Sequence, residues 1–268
     1  MKPIQFALRA SAAGALALAM AASANAATQQ LTVTVENLSA ANGYATGPLQ
    51  VGFGNGSFDA FNIGSVASAA IVPVAELGSG SAWQPAFAAA DPGAVIGAIG
   101  GVLLPSGSAS ATFTVNTANN SYFSFGAMVV PSNDFFIGND SPTAYRLFDA
   151  AGKLTTASIT LKATDIWDAG SEVFDPASAA FVGNAALHTD QHSVVAHNFA
   201  ELAAFNGLTT AAGYTFRSNL TANSDVYRIS FAVAAVPEPE SYAMMLAGLA
   251  VVSAIARRRR AKSGGLSV

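Results

Sequence analysis

Short segments in which apolar and polar residues alternate with period two, separated by turn-formers, constrain this chain more than any other feature. Successive residues of a strand point to opposite faces, so such alternation marks half-buried strands. Leu31-Thr-Val-Thr-Val35 places three apolar side chains on one face and two threonines on the other. Ala111-Thr-Phe-Thr-Val115 and Ile159-Thr-Leu-Lys-Ala163 repeat the pattern, and Tyr227 to Val233 sets Tyr227, Ile229, Phe231 and Val233 on one side. Tyr122 to Val130 is longer and more apolar, which reads as a central strand. Ala41-Asn42-Gly43, Pro105-Ser106-Gly107, Asn119-Asn120 and Ala151-Gly152-Lys153 punctuate the segments as turns. Two stretches depart from this. Ser65 to Leu77 fits a short helix interrupted by Pro73, and Gln191 to Phe205 fits a helix or an irregular excursion. No period of 20–50 residues recurs. The expected fold is all-β, an antiparallel sandwich with long loops and short helical excursions.

Both ends of the chain read as addresses. Lys2 and Arg9 precede an apolar run from Ala10 to Ala22, and Ala24-Asn25-Ala26 supplies the small-x-small pattern of signal-peptide cleavage. Residues 1–26 are therefore expected to be removed. At the other end, Val236-Pro237-Glu238-Pro239-Glu240 leads into an apolar stretch from Tyr242 to Ala256, followed by Arg257, Arg258, Arg259 and Arg260. That stretch is shorter than the ~20 residues of a comfortable transmembrane helix. The arginines are expected to stay cytoplasmic, which leaves the body of the protein outside. The two prolines keep the backbone ahead of the segment extended and open to a protease.

This order of elements resembles the PEP-CTERM sorting signal. The resemblance implies recognition by an exosortase-type processing enzyme, a transient anchor in the inner membrane, and an association with exopolysaccharide, biofilm or surface display. An ordinary anchor that is never cut is the competing reading. The expected organisation is a signal peptide over 1–26, one sandwich domain over 27–235, the sorting segment over 236–262 and a tail over 263–268.

Between Ala27 and Val236 five basic residues face fourteen acidic ones, a net charge of −9. Such a body repels phosphates, which argues against nucleic acid, and it is compatible with divalent cations. The chain has no cysteine, so a disulfide framework and thiol chemistry are excluded. No Gly-x-Ser-x-Gly elbow, His-Glu-x-x-His, P-loop or dinucleotide fingerprint occurs, so the chain reads as non-enzymatic.

The acidic residues gather in two loops, one from Pro131 to Ser141 with Asp134 and Asp140, the other from Asp165 to Glu172 with Asp168. Calcium takes six to eight oxygens from carboxylates and carbonyls, which such loops could supply together. Exposed Asp/Asn turns are the alternative. His188, His192 and His197 are either solvated or a candidate metal set. Trp83, Trp167 and the Phe135–Phe136 pair would either stack on sugars or fill a core. A carbohydrate-binding module is accordingly the second functional reading. A secreted hydrolase using Asp168 and Glu172 is the third.

Several strings also resemble the spondin N-terminal domain of F-spondin and mindin. They are Val33-Thr-Val-Glu-Asn-Leu38, Val51-Gly-Phe-Gly-Asn-Gly-Ser-Phe-Asp59, Ala111-Thr-Phe-Thr-Val115, Tyr122 to Asp140 and Trp167-Asp-Ala-Gly-Ser-Glu172. The resemblance runs from about Leu31 to Gly183. It implies a C2-like β-sandwich that binds calcium through loop carboxylates and acts in adhesion, at a surface receptor or in the extracellular matrix. Carried over residue by residue, it implies Asp134, Asp140, Asp168 and Glu172 as the positions near the ion, with Asp59 a weaker candidate.

Overall fold

The computed structural model describes residues 28–235 and 244–253. The expected signal peptide with Ala24 and Ala26, the Pro237-Glu238-Pro239 motif and Arg257, Arg258, Arg259 and Arg260 lie outside the described residues.

The body is an antiparallel two-sheet sandwich. One sheet has the order β5 (Ser108–Asn116), β1 (Thr28–Asn37), β12 (Asp225–Ala235), β9 (Ser158–Lys162). Every one of these strands shows alternation in sequence because one face meets the core and the other meets water. Leu31, Val33 and Val35 are fully buried, while Thr32 and Thr34 point outward. The expected inner face of β12 holds for Tyr227, Ile229 and Phe231. Val233, however, is 41% exposed, and it lies past the last pair between β12 and β9, Ser230 with Ser158.

The second sheet has the order β11 (Ala196–His197), β10 (Ile166–Asp168), β7 (Phe135–Gly138), β6 (Tyr122–Val130), β3 (Leu49–Gly54), β4 (Val95–Ile99), with β2 (Ala45–Thr46) and β8 (Tyr145–Arg146) also pairing with β6. Strand β6 is apolar except for buried Ser124 because it is covered twice. Phe123, Phe125, Ala127 and Val129 enter the core between the sheets. Its other face lies under helix α1 (Val72–Leu77), where a Cβ on Gly126 would touch Val74 and Ile71. A second apolar cluster therefore forms on the outer side of this sheet, from Phe61, Val74, Phe87, Phe136 and Trp167 among others. Helix α2 (Trp83–Ala90) lies so close to β3 that a Cβ on Gly52 would come within 2.1 Å of the Phe87 ring.

Pro73 does not interrupt α1. It sits in the first turn, where a backbone N–H has no intrahelical partner, so the helix begins there. The stretch from Gln191 to Phe205 becomes β11 followed by a 3-10 segment, Phe199–Phe205, anchored by buried Leu202 and Phe205.

Residues 244–253 are helical and exposed. Ten residues rise about 15 Å, half of the ~30 Å hydrocarbon core. No helix among the described residues is long and apolar enough to cross a membrane, so a transmembrane helix is not found among them.

Candidate functional site: an acidic cleft beside strands β7 and β10

The loop that follows β6 turns the chain into β7 and carries Asp134. Its turn is fastened by Ser132, whose hydroxyl donates to the Val129 carbonyl and accepts from Phe135 N–H at 3.0 Å. Asn133 accepts from Asp175 N–H at 3.1 Å and donates to Ser178 Oγ at 3.1 Å. Strand β10 pairs antiparallel with β7, setting Asp168 opposite Phe135 and so beside Asp134.

Past β10 the chain bends sharply at Gly170, whose φ is +63°. A Cβ there would lie 2.9 Å from the Ser193 carbonyl carbon and the Val194 oxygen, so glycine is required on both counts. The bend folds the following backbone over Asp134. Ser171 N–H at 2.7 Å, Ser171 Oγ–H at 3.2 Å and Glu172 N–H at 3.1 Å all donate to Asp134 Oδ2. Asp168 Oδ1 accepts from Gly170 N–H at 2.8 Å, and its Oδ2 accepts from Asn198 Nδ2 at 3.0 Å.

The segment 189–193 clips onto the same bend. Gln191 N–H donates to the Ser171 carbonyl at 2.7 Å, Ser193 N–H to the Gly170 carbonyl at 2.8 Å, and Val173 N–H to the Thr189 carbonyl at 2.8 Å. Together these loops enclose a cavity of about 280 Å³ lined by Asn133, Asp134, Asp168, Glu172, Gln191 and Glu201. Glu201 comes from the 3-10 segment, and its Oε2 is buried with no hydrogen-bond donor.

The electrostatics follow from this crowding. Burial and then the neighbouring Asp168 charge push the Asp134 carboxyl up to about 6, against the opposing pull of the Ser171 and Glu172 donors. Burial, then Glu76 and Asp134, push Glu172 up to about 7. His188 partly compensates Glu172 from 4.0 Å, and its other ring nitrogen is 3.2 Å from Asp190. The backbone carbonyl of Ala185, then Glu172, raises the His188 imidazole above its ordinary value. The cleft is thus a place where negative charge is concentrated and poorly neutralised.

Three of the four expected carboxylates, Asp134, Asp168 and Glu172, line this cavity. Asp140 does not. It lies beyond the far end of β7, where its Oδ1 accepts from Ile63 N–H at 2.8 Å. Six extended residues separate it from Asp134 by about 20 Å. Asp59, which accepts from Asn62 Nδ2 at 3.0 Å, belongs to that far end as well. Among the described residues no three acidic or histidine side chains converge closely enough to hold an ion on their own. The three histidines are dispersed: His188 faces Glu172 and Asp190, His192 lines a separate cavity beside α1, and His197 stacks on Trp167 at 4.0 Å between ring centroids.

The aromatic residues considered for sugar stacking are core residues. Trp83 and Phe136 are fully buried and Phe135 is 2% exposed. Trp167 is 8% exposed and donates Nε1–H to the Gly138 carbonyl at 3.1 Å. None presents a free ring face. Gln191 and Glu201 were not expected at the site. They come from the stretch beyond Gly183, which has no recognisable loop motif.

A family model described as the PEP-CTERM protein-sorting motif matches residues 235–260. The chain therefore carries an exosortase-recognised signal and is an exported, membrane-anchored precursor processed for export. No curated protein matches the chain. The likeness of the sandwich to the spondin N-terminal domain has no family or homologue support.

Proposed function

We propose that the sandwich is a non-enzymatic surface module whose acidic cleft binds calcium, and that sorting delivers it to the cell surface or the extracellular matrix for adhesion. One observation carries the reading: Asp134, Asp168 and Glu172 line a single cleft, with Asp134 and Glu172 driven up by burial and by neighbouring carboxylates. A cation there would offset a cost that the folded protein otherwise bears. Calcium suits the donors present, which are carboxylate and amide oxygens in flexible loops. The orphaned Glu201 Oε2 fits the same role. Because three side chains do not converge tightly, the shell would take further oxygens from loop carbonyls, Asn133 and water.

Calcium titration followed by thermal unfolding tests the proposal, because a ligand that binds only the native state raises its stability by mass action. Millimolar calcium is expected to raise the unfolding temperature of the wild type and to leave Asp168→Ala unchanged. An equal rise in both, or none in the wild type, would overturn it.

A further inference from the structure

The side of the sandwich formed by β4 and β5 is built from chain without charge. Between Asp91 and Asp134 there is no aspartate, glutamate, lysine or arginine. Two of the three strands in that stretch are sheet edges: among the described residues β5 pairs with β1 alone and β4 with β3 alone. An edge strand presents a row of unpaired N–H and C=O groups, which proteins usually blunt with lysine, proline, a bulge or a cover.

The opposite edge of the same sheet is blunted in this way. There β9 ends at Lys162, paired with Asp225 at 2.7 Å, and its register with β12 shifts at that end. Strand β5 carries no lysine, proline or bulge, and among the described residues no further strand pairs with its free edge. Its nine residues pair with β1 in unbroken register, with Ser110, Thr112 and Thr114 exposed and Ala109, Ala111 and Phe113 half-buried.

We propose that β5 is a self-association edge. The β5 strand of a second copy adds to it antiparallel about a two-fold axis at Thr112, joining two four-stranded sheets into one of eight strands. The sequence is self-complementary in that register. Thr112 meets its own copy, Ser110 meets Thr114, and Ala111 meets Phe113, so hydroxyls face hydroxyls outside and apolar groups face apolar groups inside. The existing β1–β5 pair already uses this outer pattern, with Thr32 and Thr112 hydroxyls 3.0 Å apart and those of Thr34 and Ser110 3.1 Å apart.

A second copy is the partner because a two-fold interface demands self-complementarity, and an uncharged strand does not repel itself. Sorting through one membrane also gathers many copies on one surface, which raises their effective concentration.

The chain has no cysteine, so Thr112→Cys introduces a unique thiol. Residues opposite each other in an antiparallel pair have Cα atoms ~4.5–5.5 Å apart, within disulfide range. Mild oxidation of cells producing the full-length exported variant is expected to give a disulfide dimer on non-reducing electrophoresis, while Thr160→Cys on β9 stays monomeric. Thr112→Lys and Thr112→Glu, each exposed and made separately, are expected to abolish the dimer that the wild type forms. Co-expressed, they are expected to restore it. Equal cross-linking at Thr112 and Thr160, a wild type that is monomeric, or a dimer that survives Thr112→Lys would overturn the proposal.

Discussion

Neutralising Asp134 is expected to make the calcium-free protein more stable at neutral pH. Ordinary removal of a buried, hydrogen-bonded carboxylate destabilises, so this reversal is diagnostic. The Asp134 carboxyl stands at about 6 in the folded protein against 3.8 for the free group, so keeping it ionised costs about 3 kcal/mol at neutral pH. The sign follows from proton linkage. A carboxyl raised in the folded state binds more protons there than in the unfolded chain between about pH 4 and 6. Its contribution to stability is complete below pH 4 and is lost as pH rises through 6. Glu172 behaves alike between 4.5 and about 7. The two contributions overlap, because the Asp134 charge is part of what raises Glu172.

Asp134→Asn keeps a carbonyl oxygen for the Ser171 and Glu172 amides and removes the charge. In chelator at pH 7.5 the variant is expected to exceed the wild type by up to about 3 kcal/mol. That is up to about 6–12 °C in unfolding temperature for a domain of this size. At pH 4 the two should coincide. Thermal unfolding followed by circular dichroism across pH 4–8 measures the difference directly, and the carboxylates outside the cleft cancel between the proteins. A variant less stable than the wild type by the same margin at pH 4 and pH 7.5 would refute the argument. The carboxylate would then serve only as an acceptor for the loop amides.

Other substitutions follow from the geometry. Gly170→Ala forces a Cβ against the Ser193–Val194 backbone at positive φ, and is expected to cost at least 1–2 kcal/mol and to weaken any calcium response, read by the same unfolding assay. Gly52→Ala drives a methyl into the Phe87 ring and is expected to cost about 1–3 kcal/mol with no change in calcium response, since β3 lies away from the cleft. Replacing Pro237, Glu238 and Pro239 with alanine is expected to leave the arginine tail on the exported protein. Intact mass spectrometry of the surface fraction reads this out, and a mass identical to the processed wild type would contradict it.

The strands legible in the sequence are those with one wet face. Strands β1, β5, β9 and β12 alternate because their outer residues, such as Thr32 and Thr160, meet solvent. Strands β7 and β10 looked like loops because they are short, flanked by Asp, Asn and Gly, and covered on both sides. Phe135 and Phe136 seemed an exposed pair, yet each enters a different core. Helix α2 was hidden by Pro85, which its first turn accommodates. The pairing of Asp134 with Asp168 and Glu172 was anticipated, since it needs only that the two loops meet. Sequence proximity misled at Asp140, because the intervening strand carries it to the other end of the sheet. Glu201 was invisible, as a single acid within an apolar 3-10 segment gives no local signal.

Calorimetric titration of the exported protein with calcium at pH 6.5, repeated in buffers of different protonation enthalpy, addresses the acidic cleft most directly. The account predicts one ion per chain, an affinity in the ~10⁻⁴–10⁻³ M range of extracellular modules, and proton release on binding as the raised carboxyls ionise. The absence of binding at millimolar calcium, or binding that persists unchanged in Asp134→Asn, would contradict it.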